Sequence, residues 1–285
     1  MRNFVCVLIF AAISGCGDND VKTTLPTLNF KMNEPVQQVL SASTAPLTED
    51  CSTNLCMYQF DIPASSPNKA KATIASASAP LMLDDVIAAT LSTYKSNQLN
   101  HAYITLGGVP SDGRHELAIE YFYKLIENLH SNGWKRYIMP DEARIPGSQA
   151  KKLVDPGTIL GMPVSTGPWK DPALILGKAE WLSLPMLNSW YFNKDDVYLL
   201  VRVQREHSSK DGESFGSYLF TLTFRTESEF YKGFVEDEER DNWKALLPAE
   251  LKRMAQERAQ TEARLKQMGI AIDENYQDPP IKALE

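Results

Sequence analysis

Apolar and polar positions along this chain follow two periods. Alternation by twos, the mark of a strand with one face buried, runs through Met57 to Ile62 and stops at Pro63. His101 to Leu106 and Trp134 to Met139 also read as strands, the latter ended by Pro140. Three further runs follow one another closely: Ser189 to Asn193, Val197 to Glu206, and Ser217 to Arg225. Lys194-Asp195-Asp196 is the turn between the first two, so the group predicts an antiparallel meander. Ala70 to Ser78 reads equally as strand or loop.

Spacing by threes and fours marks the helices. Leu83 to Asn97 is predicted helical on Val86, Ile87, Leu91 and Tyr94, with Asp84 and Asp85 at its positive end. Arg114 to Asn132 presents Leu117, Tyr121, Phe122, Leu125, Ile126 and Leu129 on one face. Asp112 is its expected N-cap and Gly133 its C-terminal stop. Glu180 to Leu187 reads as a short helix, and Thr226-Glu227-Ser228-Glu229 fits a capping box opening another. Pro248 suits the first turn of a long C-terminal helix reaching Met268. Its apolar stripe, Leu251, Met254, Leu265 and Met268, is narrow and interrupted by Arg258, so a surface position is expected. The tail after Ile272 is polar and expected to fray.

These elements predict an α+β fold: a βαβ-type unit, then a three-stranded antiparallel meander and a long C-terminal helix. Pro140 to Lys178 is rich in Pro and Gly, which leaves open whether residues 51–285 form one domain or two lobes meeting near 140–180.

The first eighteen residues, MRNFVCVLIFAAISGCGD, have another character. Arg2 gives a positive start, Phe4 to Ile13 is an apolar run, and small residues precede Cys16. The run is shorter than the roughly 20 residues that cross a bilayer, so 1–15 reads as a signal peptide. Ile13-Ser14-Gly15-Cys16 resembles the lipobox of bacterial lipoproteins. The resemblance implies cleavage before Cys16 and acylation of that residue. Gly17, where inner-membrane lipoproteins of Gram-negative bacteria carry Asp, implies the outer membrane, facing the periplasm. Residues 16–50, with Pro26, Pro35 and Pro46 and no apolar period, are expected to be a lipid-anchored tether.

Composition narrows the function. With 29 Lys and Arg against 36 Asp and Glu the net charge is −7, which offers nothing to a phosphate backbone, so nucleic acid is not an expected partner. Export leaves Cys51 and Cys56 in an oxidising compartment, where a disulfide is expected. Four residues separate them, against two in redox motifs, and the four histidines lack metal-ligand spacing. No metal and no cofactor is expected.

The signatures of hydrolases and nucleotide-binding proteins are missing, and His115-Glu116 begins a zinc-peptidase motif that fails at Ile119. An enzyme is therefore not the expected function. Two loops remain. Residues 107–115 could hold an anion with Ser111, Arg114 and His115, or simply make a tight turn. The hairpin loop Glu206 to Gly216, with His207, Asp211 and Glu213, and the acidic run Glu236, Asp237, Glu238 and Glu239 are expected to contact a protein partner. With its lipobox, one α+β domain and the patches GWKRYI (133–138), SWYFNKDDVYLLVRV (189–203) and LLPAELKRM (246–254), the chain resembles immunity lipoproteins of type VI secretion. The resemblance implies binding and occlusion of a secreted effector. An envelope-assembly or secretion-accessory lipoprotein that binds a resident protein or peptidoglycan is the alternative.

Overall fold

The structure is a computed structural model and describes residues 24–285. The expected signal peptide, Cys16 and the start of the tether lie outside the described residues. Thirteen strands and five α-helices follow in chain order: β1 (Thr27–Lys31), α1 (Val36–Ala42), β2 (Thr48–Cys51), β3 (Leu55–Asp61), β4 (Ala70–Ala75), β5 (Leu81–Tyr94), β6 (His101–Leu106), β7 (Gly113–Arg114), α2 (His115–Ser131), β8 (Lys135–Arg136), β9 (Thr158–Ile159), β10 (Met162–Pro163), α3 (Lys178–Ser183), β11 (Leu187–Lys194), β12 (Val197–His207), β13 (Phe215–Thr226), α4 (Glu227–Tyr231) and α5 (Trp243–Gln267). The fold is α+β.

Eleven strands form one sheet, in the order β1-β4-β5-β6-β13-β12-β11-β8 with β2, β3 and β7 attached at the side. The meander β11-β12-β13 is antiparallel throughout. It is inserted between β6 and β8, which point the same way because four antiparallel pairings separate them. With α2 crossing between those two strands, the βαβ-type unit is present in split form. Its second strand is short, since only Lys135 and Arg136 pair with β11.

The stretch read as a tether is not one from Thr27 onward. β1 pairs in parallel with β4, and Leu28, Phe30, Met32, Val36 and Val39 are all buried. Pro35 lies directly before α1, where its missing N–H costs nothing. The sheet curls, bringing β1 back over its centre so that Phe30 meets Phe224 edge-on at 6.1 Å between ring centroids.

The expected helix at 83–97 is the 14-residue strand β5. β4 and then β3 pair along one of its edges and β6 along the other. A shift against β4 near Asp85, whose φ is 60°, and another against β6 near Ile87 each insert an extra residue. The inward residues therefore fall at Leu81, Leu83, Val86, Ala89 and Leu91, and steps of three imitate a helix.

α2 covers the inner face of the meander, with Phe122 against Trp190 at 4.4 Å and Tyr121 against Phe220 at 5.1 Å. Leu117, expected on that face, is instead exposed, and Ala118 is buried in its place. On the outer face Tyr198 stacks on Phe230 at 4.0 Å, inside a cluster with Tyr137, Tyr231, Trp243 and Leu247. α5 starts at Trp243, so Pro248 lies within it rather than in its first turn. Arg258 does not break the stripe by pointing outward. It is buried, donating to the carbonyls of Met139 and Glu142 and holding Asp278 with two bonds. The tail beyond Ile272 consequently docks rather than frays, with the Tyr276 hydroxyl accepting from the Ile138 N–H at 2.9 Å.

Candidate functional site

The two loops singled out in sequence meet at one end of the sheet. β7 pairs with the start of β13, which sets Gly113 and Arg114 beside Gly216 and Phe215. His115, the first residue of α2, is fully buried there. Its Nε2 lies 3.1 Å from the Gly212 carbonyl, which can only accept, so Nε2 carries the proton. Nδ1 then accepts from the Tyr218 hydroxyl at 2.6 Å, and that oxygen accepts from the Trp181 indole N–H at 3.3 Å. One ring thereby ties α2 to the hairpin loop and, through Tyr218, to α3. Gly216 is required here because a Cβ would stand 2.8 Å from the His115 ring and 2.7 Å from the Glu206 carbonyl.

Ser111, Arg114 and His115 do not converge on an anion. Ser111 shares a hydroxyl–hydroxyl bond with Ser217 at 3.0 Å, Arg114 lies over the Phe215 ring, and both His115 nitrogens are used. The positive end of α2 is also occupied. The Glu116 carboxylate takes its own backbone N–H and an ion pair with Lys178 at 3.0 Å, which together hold its pKa below the ordinary range. Asp112 is not the cap, because its φ of 51° places it in a left-handed turn and α2 begins three residues later.

His115 instead supports the hairpin loop between β12 and β13. Gly212 offers its carbonyl to His115 from one side and to His207 Nδ1, 2.8 Å away, from the other. Asp211 Oδ1 accepts from the N–H groups of Glu213 and Ser214, both at 3.2 Å. Bonds to Ser214 draw the Asp211 pKa down, so the carboxylate stays charged at neutral pH. Lys210, Asp211 and Glu213 are left exposed on a loop whose backbone is held.

Glu236, Asp237, Glu238 and Glu239 are elsewhere. They are exposed on and just before a 3₁₀ turn, Asp237–Asn242, which follows α4 at the far end of β13. Gly216 and Arg225 bracket most of that strand, about 30 Å at roughly 3.3 Å per residue. The hairpin loop and the acidic run are therefore two separate patches. Within the second, Asp237 pairs with Arg240 and Asp241 with Lys95.

Cys51 and Cys56 form a disulfide across the β2–β3 hairpin. Both thiols are thereby removed from the one group of metal-capable side chains found among the described residues, which Glu49 completes.

A cleft of about 420 Å³ opens where the curled strands, the exit of α2, the β11–β12 turn and the C-terminal tail meet. Met32, Ile74, Leu81 and Trp134 form its buried floor. Lys194, also buried, lines it and donates to the Ala79 carbonyl at 2.7 Å. Met32 and Lys194 stand more than 160 positions apart, and no local pattern links the segments that carry these residues. No known protein family, curated protein or solved structure matches this chain.

Proposed function

We propose that this chain is a periplasm-facing lipoprotein that binds another protein, and that its partner is a secreted effector neutralised by occlusion, as in the immunity lipoproteins it resembles. The observation that supports a binding role is the hairpin loop at 208–214. A loop of Ser, Lys, Asp, Gly and Glu is ordinarily mobile, yet here a buried histidine and an aspartate turn fix its backbone. Fixing a contact loop before association removes part of the ordering cost of binding. His207, Asp211 and Glu213 lie on or beside it. Acylation at Cys16 would hold the domain at the outer membrane. The eleven residues from Cys16 to Thr27 reach at most about 40 Å, so the partner would be met close to the bilayer.

The acidic run contributes by steering rather than by the same contact. At about 30 Å from the loop it is three Debye lengths away in 0.1 M salt, and only at low ionic strength does its field reach an approaching basic partner. The test begins with capture of an envelope or effector protein by the membrane-bound chain and measures association kinetics on two variants. Asp211→Lys with Glu213→Lys is expected to weaken binding at every salt concentration. Reversal of Glu236, Asp237, Glu238 and Glu239 to Lys is expected to slow association only at low salt. Unchanged affinity in the loop variant would remove the loop from the interface. Turnover of a lipid or cell-wall substrate by the purified chain would replace the binding reading altogether. Cys16→Ser is expected to release the protein from membranes, and a fatty-acid label still incorporated into that variant would refute the anchor.

A further inference from the structure

The cleft between the curled strands and the meander has the size and the polarity of a small-molecule site. Its volume of about 420 Å³ falls in the range of roughly 300–1,000 Å³ typical of ligand pockets. Its floor is apolar apart from one donor, Lys194. Trp134 contributes ring surface to the floor, while its indole nitrogen is sealed beneath it and has no acceptor. Lys194 is 7 % exposed, and its ammonium, which has three hydrogens to place, makes one bond, to Ala79. No carboxylate among the described residues forms an ion pair with Lys194, and burial draws its pKa down with only partial compensation from Asp195. Nearby acids are engaged otherwise: Glu34 accepts from the Lys31 N–H and Asp196 from Asn33. A buried ammonium with one neutral acceptor is costly, and a ligand anion is what would complete it.

We propose that this cleft binds a small amphiphilic monocarboxylate, its apolar body on Met32, Ile74, Leu81 and the Trp134 ring and its head group on Lys194. The acids at the rim, Glu34, Asp195 and Asp196, disfavour a phosphate dianion more than a single negative charge, because the repulsion grows with the charge of the ligand. The site is distinct from the hairpin loop and does not depend on a protein partner.

Decanoate and 1-decanol, which share a chain and differ in charge, are suitable probes for the full mature protein. The readout is the indole N–H resonances of its five tryptophans, that of Trp134 being assigned by its loss in Trp134→Phe. Decanoate is expected to shift the Trp134 resonance saturably and to bind about tenfold or more tighter than decanol, the scale of one charge-assisted hydrogen bond. Lys194→Gln is expected to abolish that preference. Ala75→Trp, at the exposed rim, is expected to block both probes without changing the melting temperature. Equal affinity of the two probes for the wild-type protein overturns the proposal even if Lys194→Gln fails to fold. So does saturation that leaves the Trp134 resonance unmoved, or the absence of any saturable shift.

Discussion

Single charged side chains hold this fold at places where a polar sequence promised only surface. Arg258 ties three segments with one guanidinium: α5 that carries it, the 139–142 stretch through two carbonyls, and the tail through Asp278. Its planar fork is what allows so many simultaneous bonds, and Lys cannot reproduce it. Arg258→Met is expected to cost about 3 kcal/mol, the scale of breaking a buried pair, and Arg258→Lys nearly as much, measured by urea unfolding. His101 makes a second case. Burial pushes its pKa below 6.5, Arg225 beside it pushes further, and Glu229 only partly opposes. The unfolded chain therefore binds a proton more readily than the folded one. The stability that His101 contributes is complete above about pH 6.5 and is lost as pH falls from there toward the lower folded pKa. Wild type and His101→Gln, compared by urea midpoint at pH 7.5 and 5.5, are expected to differ in how much stability each loses. A wild-type loss no larger than that of the variant would contradict the assignment.

Element by element, regular structure was legible and irregular structure was not. The meander, β6, α2 with its Gly133 stop at φ +84°, and the Thr226 cap accepting from Glu229 all follow from local patterns. β5 shows why locality fails. Its two extra residues shift the inward positions from steps of two to steps of three, and the period of a bulged strand overlaps that of a helix. Asp85, left-handed at φ 60°, is where the chain takes the first of these turns, and its carbonyl accepts from Gly107 at 2.8 Å. Asp85→Gly is expected to unfold within about 0.5 kcal/mol of wild type, while Asp85→Val, β-branched at positive φ, loses about 1–2 kcal/mol. Equal destabilisation by both substitutions in thermal denaturation would place the cost in the Lys69 and Asp85 ion pair, 3.9 Å apart, instead of the backbone. The candidate sites divide in the same way. Loops 107–115 and 206–216 were each recognisable as polar loops carrying histidine. Their meeting through β7 and β13 depends on a pairing about a hundred residues apart, which no local pattern encodes.

At the scale of the whole molecule, the N-terminal segment decides whether the curl exists at all. Thr27 to Ala42 looked like a leash because a five-residue strand and a seven-residue helix are too short to establish a period, and Pro35 between them reads as a breaker. Yet β1 closes the sheet edge against β4, and its outer side is covered in turn by the side chains of Ser43 and Thr44, which accept from the N–H groups of Asn29 and Thr27. Burial of Leu28, Phe30, Met32, Val36 and Val39, at about 1.5–3 kcal/mol each, contributes on the order of 10 kcal/mol. That is comparable with the whole net stability of a domain, about 5–15 kcal/mol. Without the segment, Phe224, Ile74 and Leu81 would face water and the floor of the cleft would lose Met32. A chain beginning at Leu47 is therefore expected to be insoluble or to lack a cooperative thermal transition, whereas one beginning at Thr24 melts like the whole chain. Supplying residues 24–46 as a separate peptide is expected to restore part of the transition, since the contacts are non-covalent. If the chain from Leu47 melts cooperatively within a few degrees of the longer one, β1 and α1 are an appendage and the tether extends to about residue 50, where the sequence pattern placed its end.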